Sequence, residues 1–247
     1  MKRTETRFAM NAFVDIHHHI LYGVDDGPAN REQAEQMLLA AYREGVRTII
    51  ATPHIAPGIR PFSCDTLYRQ VEATQRRCTA LGLDLSILPG AEVLYTCQTE
   101  RYLAQRRIPT MAGSGKVLVE FPPSVRFDEL ETAVRTLLRG GYIPILAHIE
   151  RYPCLMAPGQ RVARLKKQYD VQYQINGGLL LRNGHGLAAR RIRRLFLAQQ
   201  IDYVASDAHD CERRACCLNE AYERLVPLAG RPYADHLLGN HETVADF

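Results

Sequence analysis

The chain has 247 residues, of which 46% are hydrophobic and 23% are charged, and its formal net charge is +4. The hydrophobic fraction excludes a disordered chain, and 17 Gly and 13 Pro without a repeat exclude a collagen-like or low-complexity one. The charge is too small to indicate a nucleic-acid or membrane partner, so we expect neither nucleic-acid binding nor membrane insertion.

The beginning of the chain and its cysteines narrow the class of protein further. Residues 1–12 lack the apolar segment of a signal peptide, so we expect an N-terminal extension followed by a single domain at 13–247. Seven cysteines are an odd number, and their scattered positions do not suggest a disulfide framework. We therefore expect a cytoplasmic protein.

Short β-branched segments alternate with longer amphipathic ones along the whole chain. The alternation predicts strands at Phe13–Ile16, Thr48–Ala51, Leu85–Leu88, Val117–Phe121, Ile143–Ala147, Val171–Ile175 and Asp202–Ala205. It predicts helices at Arg31–Glu44, Thr66–Ala80, Asp128–Arg139, Leu187–Gln199 and Glu212–Leu225. In the first of these helices Asn30 is the predicted N-cap, and Ala34, Met37, Leu38 and Ala41 form the predicted apolar stripe. Strand–helix alternation with right-handed crossovers indicates a parallel sheet, and seven strands in a chain of this length indicate a closed or nearly closed barrel.

Most of these strands end in, or are soon followed by, side chains that can bind metal ions. In chain order they are Asp15, His17, His18 and His19, then Asp25 and Asp26, His54, Glu92, Glu120, His148 and Glu150, Asn176, and Asp207 and His209. In a parallel barrel the carboxyl ends of the strands meet on one face. So many imidazole and carboxylate groups would repel one another or lie buried without partners unless cations lie between them. The pattern therefore predicts a multinuclear metal site.

Each part of this pattern has an ordinary structural explanation when it is taken alone. A single histidine at a strand end, such as His54, is usually structural, and Asp25-Asp26-Gly27 is typical of a turn. Glu92 could begin a helix, and the Ser-Asp-x-His segment at 206–209 could be a cap. The combination at five strand ends is what favours the metal site.

The donor types narrow the choice of metal. Residues i and i+2 of a strand point the same way, so His17 and His19 can bind one ion while His18 faces elsewhere. Nitrogen and carboxylate ligands without a thiolate favour Mn, Fe or Zn over a structural thiolate zinc site. Bridging carboxylates hold two ions about 3.5–4 Å apart, the spacing of two-metal phosphoester hydrolases, in which a shared water is deprotonated and attacks phosphorus.

Six segments of the chain resemble one known family. They are Asp-Ile-His-x-His-Ile, Val-Asp-Asp-Gly-Pro, Gly-Val-Arg-Thr-Ile-Ile-Ala-Thr-Pro-His, Pro-Gly-Ala-Glu-Val, Ala-His-Ile-Glu-Arg-Tyr and Ala-Ser-Asp-Ala-His. They resemble the PHP (polymerase and histidinol phosphatase) superfamily, and within it the bacterial capsule and exopolysaccharide protein-tyrosine phosphatases of the CpsB, CapC and YwqE type. The resemblance runs from about Phe13 to the C-terminal region. It implies an α/β fold, a distorted seven-stranded (β/α) barrel of the PHP type.

The resemblance also implies roles for individual residues. His17, His19, Glu92 and Asp207 would hold a first ion. Glu92 would bridge to a second ion bound by Glu120 and His148, and Asp26, His54 and His209 would hold a third. It implies manganese, as two or three ions, with iron or zinc as alternatives. Arg151 resembles the family's phosphate-binding arginine, and Arg214 is a second candidate, because a guanidinium fork can bind a phosphoryl group through two oxygens.

The function that this resemblance implies is a manganese-dependent protein-tyrosine phosphatase, in which a metal-activated hydroxide attacks phosphorus. The implied substrate is the phosphotyrosine tail of a bacterial tyrosine autokinase that regulates capsule or exopolysaccharide synthesis. Two alternatives stay open: a phosphoesterase for a small molecule or nucleotide, of the histidinol-phosphatase type, and a kinase-docking module without catalysis. A homo-oligomer is also left open.

Other segments have weaker functional explanations. A cysteine-dependent phosphatase needs an arginine six residues after its cysteine, and none of the seven cysteines has one. Cys211, Cys216 and Cys217 have a poor spacing for a thiolate metal site, so we expect these side chains to pack a helix against the rest of the protein. Gly113-Ser114-Gly115-Lys116 lacks two residues of the phosphate-loop motif and predicts a turn before the fourth strand. The arginines at 190–194 predict a solvated helix face, with an acidic tail or a partner subunit as the alternative. We expect His185, His236 and His241 to be peripheral.

Overall fold

The computed structural model describes residues 12–182 and 186–239. The predicted extension at 1–12 therefore lies outside the described residues except for Ala12, and so do His185 and His241. Within the two described ranges every strand pair is parallel, as the strand–helix alternation predicts. No helix in these ranges is both long enough and apolar enough to cross a bilayer.

The described residues form nine strands where the sequence predicts seven. They are β1 (Phe13–His18), β2 (Val46–Ala51), β3 (His54–Ile55), β4 (Ser86–Pro89), β5 (Glu92–Leu94), β6 (Lys116–Glu120), β7 (Ile143–Leu146), β8 (Gln172–Asn176) and β9 (Tyr203–Ala205). Two sheets result, in the orders β1-β2-β4 and β3-β5-β6-β7-β8-β9. Each predicted strand is present, and after a short break the second and the third are each followed by a short strand that the sequence does not predict, β3 and β5.

The interruptions follow Ala51 and Pro89 and have local causes. Pro53 has no backbone N–H to donate to a ladder. At the other break, a β-carbon on Gly90 would lie 2.6 Å from Ile50 Cγ2, so this close approach requires glycine. The chain then resumes as β3 and β5, which pair His54 opposite Glu92. The breaks therefore bring two predicted metal ligands side by side, and they exclude the alternative that Glu92 begins a helix.

The first and last strands approach each other at their carboxyl ends. His18 and Ala208 form an isolated parallel bridge. The backbone N–H of His19 donates to Ala208 O at 2.9 Å, and that of Asp207 donates to His17 O at 2.9 Å. The chain is thus a single mixed α/β domain with a curled parallel sheet.

Ten helices cover the sheet in the described ranges. They are α1 (Arg31–Arg43), α2 (Cys64–Ala80), α3 (Thr99–Ala104), α4 (Phe127–Arg139), α5 (Pro153–Met156), α6 (Arg161–Gln168), α7 (Gly178–Leu181), α8 (Leu187–Leu197), α9 (Leu218–Ala229) and α10 (Arg231–Gly239). Four of the five predicted helices match within three residues at each end. In α1 the predicted cap is confirmed, because Asn30 Oδ1 accepts a hydrogen bond from Gln33 N at 3.0 Å.

The helix predicted at Glu212–Leu225 is wrong at its beginning, since α9 starts at Leu218. Asp210 Oδ1 accepts hydrogen bonds from the backbone N–H groups of Glu212 at 2.6 Å, Arg213 at 2.7 Å and Arg214 at 3.1 Å. An aspartate that satisfies three successive backbone donors stabilises a turn in competition with a helix. This turn holds Arg214 near the segment that follows β9.

Candidate metal centre

All nine predicted metal ligands lie at strand ends or in the loops beside them. His17 is in β1, Glu120 ends β6, and His54 and Glu92 begin β3 and β5. The others follow strands directly or lie in the loop before α1: His19, Asp26, His148, Asp207 and His209. The sheet therefore brings together residues that are far apart in sequence.

Eight of these nine side chains form three overlapping groups, and within each group the donor atoms lie within 4.8 Å of one another. The groups are His17, His19, Glu92 and Asp207; His19, Asp26, His54 and His209; and His54, Glu92 and Glu120. His148 lies beside the last group, with Nε2 2.7 Å from Glu92 Oε1 and 3.9 Å from Glu120 Oε2. Each group can hold one cation, and Glu92 is shared by two of them.

The first group fits a cation in its hydrogen-bonding pattern. His17 Nδ1 faces Gln174 Oε1 at 3.2 Å, and His19 Nδ1 faces Asp25 Oδ2 at 2.7 Å. These acceptors place the ring hydrogens on Nδ1, so that in the neutral rings both Nε2 atoms carry lone pairs. The two Nε2 atoms lie 3.2 Å apart. Glu92 Oε2 lies 3.1 Å and 3.3 Å from them. Three electron-pair donors therefore converge on one point.

Two buried atoms that lack a hydrogen bond support the same conclusion. Among the described residues, the buried atoms Glu92 Oε2 and His209 Nε2 have potential ligand atoms 3.0–3.3 Å away but form no hydrogen bond of good geometry with any of them. A buried polar atom without a hydrogen bond is costly, and a bound cation would satisfy both kinds of atom. Imidazole nitrogens and carboxylate oxygens are also the donors that Mn, Fe and Zn accept.

The electrostatics of the first group favour positive charge. Burial opposes protonation of His17 and His19, but the neighbouring carboxylates, Glu92 and Asp207 among them, raise the pKa of both imidazoles. Burial also opposes ionisation of Glu92 and Asp207, yet the positive charge of His17, when it is protonated, and the neighbouring histidines hold the pKa of both carboxyls well below the usual range. The group therefore stabilises protons or metal cations between its members.

The pKa values of His209 and His18 are lowered, whereas those of His17 and His19 are raised. Burial, together with the charges of His19 and Arg214, lowers the pKa of His209 to about 4, which keeps this ring neutral and able to bind a metal. Burial lowers the pKa of His18 to about 3. Neither ring nitrogen of His18 has a partner among the described residues, and His18 belongs to none of the three groups.

Two of the predicted ligands have strained backbones. His148 has φ 33° and Asp207 has φ 54°, in the left-handed region that residues other than glycine seldom adopt. His148 N donates to Gln174 Oε1 at 2.7 Å, and Asp207 N donates to His17 O. Left-handed residues held by such contacts are common where a side chain must occupy a functional position.

The two predicted phosphate-binding arginines flank Asp207. Arg151 Nη2 donates to Asp207 Oδ2 at 2.5 Å, and Arg214 Nη2 donates to Asp207 Oδ1 at 2.9 Å. Their side chains are 41% and 35% exposed, whereas Asp207 is buried. Two partly exposed guanidinium groups thus contact the two oxygens of one buried carboxylate.

Two residues of β8, Gln174 and Asn176, support the centre; the sequence indicates Asn176 as a strand-end side chain that can bind metal, but it gives Gln174 no role. Gln174 Oε1 accepts the backbone N–H of His148, which fixes the orientation of the amide, and so it also accepts from His17 Nδ1. Gln174 Nε2 donates to Asn176 Oδ1 at 2.8 Å, and Asn176 Nδ2 donates to Asp207 Oδ2 at 2.7 Å. The available signal was the spacing: three amides, Gln172, Gln174 and Asn176, alternate with Tyr173 and Ile175 and so point to one face of the strand.

Two aspartates have a similar supporting position. Asp25 Oδ1 accepts from Gly27 N at 3.0 Å, which is the turn that the sequence predicts, while Oδ2 faces His19 and accepts from His54 N at 3.0 Å. Asp15 joins β1 to the segment after β9, since its two oxygens accept from Ser206 N at 3.0 Å and Ser206 Oγ at 2.5 Å. These contacts orient ligands without supplying any.

We expect Gln174→Met to weaken Mn²⁺ binding by about 10- to 100-fold, the usual effect of removing a hydrogen bond that orients a metal-binding histidine. Methionine fills a similar volume but accepts no strong hydrogen bond from His17 Nδ1 or His148 N. Isothermal titration of the metal-free protein with Mn²⁺ measures the change. Gln168→Met, on the exposed surface of α6, is the matched control. Equal affinities of the two variants would contradict the role of Gln174.

A cavity of about 660 Å³ opens beside the centre, and Asp26, His54 and Glu120 lie in its wall. His54 and Asp26 are 32% and 60% exposed, so a solute can reach this side of the centre. A second cavity, of about 670 Å³, lies between the α5–α6 region and α8 and contains none of the predicted site residues. The cavity beside the centre is therefore the candidate substrate site.

Comparison with known proteins agrees with this geometry. Residues 13–244 match the family model described as capsular polysaccharide synthesis, CpsB/CapC. Tyrosine-protein phosphatase CpsB of Streptococcus pneumoniae is 30% identical over 228 residues, which cover 91% of this chain and 94% of that protein. Tyrosine-protein phosphatase YwqE of Bacillus subtilis is 32% identical over 212 residues, with coverages of 84% and 82%.

Solved structures give the same result. A structure reported under "Crystal structures of YwqE from Bacillus subtilis and CpsB from Streptococcus pneumoniae, unique metal-dependent tyrosine phosphatases" matches with a TM-score of 0.80 and 32% identity, covering 90% of this chain and 89% of the other. The lactonase Lmo2620 from Listeria monocytogenes matches with a TM-score of 0.61 at 9% identity, covering 95% and 94%, a likeness of fold alone. The chain therefore belongs to the CpsB/CapC family of capsular polysaccharide synthesis proteins.

Proposed function

We propose that the protein is a manganese-dependent protein-tyrosine phosphatase. The observation that carries this proposal is the set of three overlapping donor groups beside two solvent-reaching arginines and an open cavity. Relatives that are named tyrosine-protein phosphatases, and a structural match described as metal-dependent tyrosine phosphatases, support it. The donor set supports manganese, and it accommodates iron or zinc as well.

The proposed ligand roles follow the three groups. The first ion would be held by His17, His19, Glu92 and Asp207. The second would be held by Glu92, Glu120 and His148, with His54 also near these carboxylates. The third would be held by Asp26, His54 and His209, which form one donor group with His19. When bound, such ions supply a nucleophilic hydroxide at neutral pH and neutralise charge on the phosphoryl group.

The protein's own groups complete the proposed mechanism. Arg151 and Arg214 bind the non-bridging phosphoryl oxygens and orient phosphorus toward the centre, as guanidinium forks do. Gln174 and Asp25 hold the His17 and His19 rings with Nε2 facing inward. Tyrosine, with a pKa of about 10, leaves more readily than an alkyl alcohol, so the reaction needs no strong general acid.

The proposal extends to the fold and to the biological context. We propose that the two sheets are one distorted seven-stranded barrel, in which β3 continues β2 and β5 continues β4, and that this single domain spans 13–247. The bridge between His18 and Ala208 supports closure of the barrel.

We further propose cytoplasmic action on the tyrosine-rich tail of a bacterial autokinase. The family's description as capsular polysaccharide synthesis supports this proposal.

Metal analysis joined to a phosphatase assay tests this function. Metal-free protein is reconstituted separately with Mn, Zn and Fe and assayed on a phosphotyrosine peptide, a phosphoserine peptide and histidinol phosphate. We expect two or three bound ions and preferential hydrolysis of the phosphotyrosine peptide, fastest with Mn. A preference for histidinol phosphate would overturn the proposed substrate, and no turnover with any metal would overturn the enzyme itself.

A further inference from the structure

We infer that the cavity beside the metal centre is a pocket for the aromatic ring of the substrate, and that its wall at Ile59 selects aryl over alkyl phosphate esters. The inference rests on the proposed function and adds the part of the site that recognises the leaving group. The cavity is lined by members of the second and third donor groups and by apolar side chains. Neither Arg151 nor Arg214 lines it.

The composition of the cavity wall changes from one side to the other. On the side of the centre lie Asp26, His54 and Glu120. The remaining wall carries the apolar side chains Val24, Ile55, Ile59, Phe62, Leu67 and Leu94, interspersed with the polar residues Asp25, Arg60, Ser63, Thr66 and Gln70. A phosphate ester whose phosphoryl group contacts the donor groups can therefore place its carbon part against the apolar side chains of this wall. The volume of about 660 Å³ is ample, since about 150 Å³ holds a benzene molecule.

Ile59 is exposed in a way that packing does not explain. Five large hydrophobic side chains are exposed in the described part of the chain: Tyr22, Ile59, Tyr68, Leu187 and Leu197. Ile59, at 64% exposure, is the one among these five that lines the cavity. Single exposed apolar residues are ordinary on protein surfaces. An exposed branched side chain at the mouth of a cavity that also holds three predicted metal ligands is instead available to a ligand.

The turn that carries Ile59 is held in place before any ligand binds. The backbone N–H groups of Ile59 and Arg60 both donate to Ala56 O at 3.0 Å. Thr96 Oγ1 donates to Pro57 O at 2.8 Å. Gly58 has φ +76°, and a β-carbon there would lie 2.8 Å from Gln98 Cγ, so the turn also packs closely against the segment before α3. A fixed wall binds a flat ring with little loss of conformational entropy.

The chemistry of the two ester classes gives the selectivity. The phosphotyrosine ring separates the phosphoryl group from the peptide backbone, so that apolar carbon lies next to the centre. Phosphoserine has a single methylene there, and its polar backbone would enter the cavity instead. Contact between the ring and Ile59 removes apolar surface of both from water, which favours the aryl ester.

The test compares Ile59→Ser with wild type in the manganese-loaded protein. We expect the KM for free O-phospho-L-tyrosine and for a phosphotyrosine peptide to rise alike, by about five- to tenfold, with kcat changed less than about twofold. Ile59→Leu, which keeps an apolar side chain at this position, should have the wild-type KM. Ile59→Ser should hydrolyse β-glycerophosphate, an alkyl ester, at the wild-type rate. Leu187→Ser, which alters a residue that is 69% exposed in the other cavity, is the matched control.

Three results would overturn the inference, and they separate it from the proposed function. If wild type hydrolyses phosphotyrosine and Ile59→Ser has the same KM, the ring pocket is wrong and the phosphatase stands. If the KM rises for the peptide alone, the cavity binds a neighbouring residue of the peptide rather than the ring. If manganese-loaded wild type hydrolyses no phosphotyrosine, the proposed function fails and the ring pocket fails with it.

Discussion

Glu92→Gln should lower kcat/KM for a phosphotyrosine peptide by about 10³-fold or more and should reduce the number of bound manganese ions. Glu92 belongs to two of the three donor groups, and its Oε2 lies 3.0 Å from His54 Nδ1 as well as near His17 and His19. Glutamine keeps the volume but removes the charge and turns an N–H₂ group toward ring nitrogens. One substitution therefore disrupts both groups.

Two measurements on the same sample test this prediction. Elemental analysis after dialysis gives the number of ions per chain, and steady-state kinetics gives kcat/KM. Glu72→Gln is the matched control, because this carboxylate is 69% exposed on α2 and belongs to no donor group. Thermal unfolding of both variants shows that they are folded. Wild-type activity and ion content in Glu92→Gln would remove Glu92 from the centre.

Arg151→Lys should lower kcat/KM by about 10²-fold and leave the ion content unchanged. Lysine retains the positive charge but loses the planar fork that can bind two phosphoryl oxygens. Arg151 also donates to Asp207 Oδ2 at 2.5 Å, so this side chain connects the predicted phosphate position with a predicted metal ligand. The effect should appear in kcat as well as KM, because charge on the phosphoryl oxygens changes during the reaction.

The control for Arg151→Lys is another arginine–carboxylate pair. Arg164 Nη2 lies 3.2 Å from Glu131 Oε1, its side chain is 59% exposed, and Glu131 belongs to none of the donor groups. Arg164→Lys should therefore have wild-type kinetics. If Arg151→Lys loses bound manganese, the arginine holds Asp207 in place rather than binding phosphate, and the proposed role is wrong.

The order of strands and helices could be predicted because it depends on local patterns. In α1 the cap at Asn30 and the buried stripe of Ala34, Met37, Leu38 and Ala41 are set by neighbouring residues, and both are confirmed. The breaks after β2 and β4, and the short strands β3 and β5 that follow them, could not be predicted. The break at Gly90 depends on its contact with Ile50, a residue that is distant in sequence.

In the metal centre, too, features set by neighbouring residues could be predicted, and features set by residues distant in sequence could not. Strand ends indicated which side chains would lie together, since parallel strands present their carboxyl ends on one face. The sequence could not give ring rotations, which place His54 with Glu92 and Glu120 while His148 lies beside that group. The support from Gln174 also depends on two distant residues, His17 and His148, although a buried amide in a strand was a usable signal.

The left-handed backbones of His148 and Asp207 set a limit on how thermostable this protein can become. Each such conformation costs about 1–2 kcal/mol relative to glycine. A selection for heat resistance alone would therefore favour glycine at both positions, and each replacement would delete a side chain of the centre. Engineering for thermostability should leave this rim unchanged and target the helices, since here stability and catalysis favour different residues.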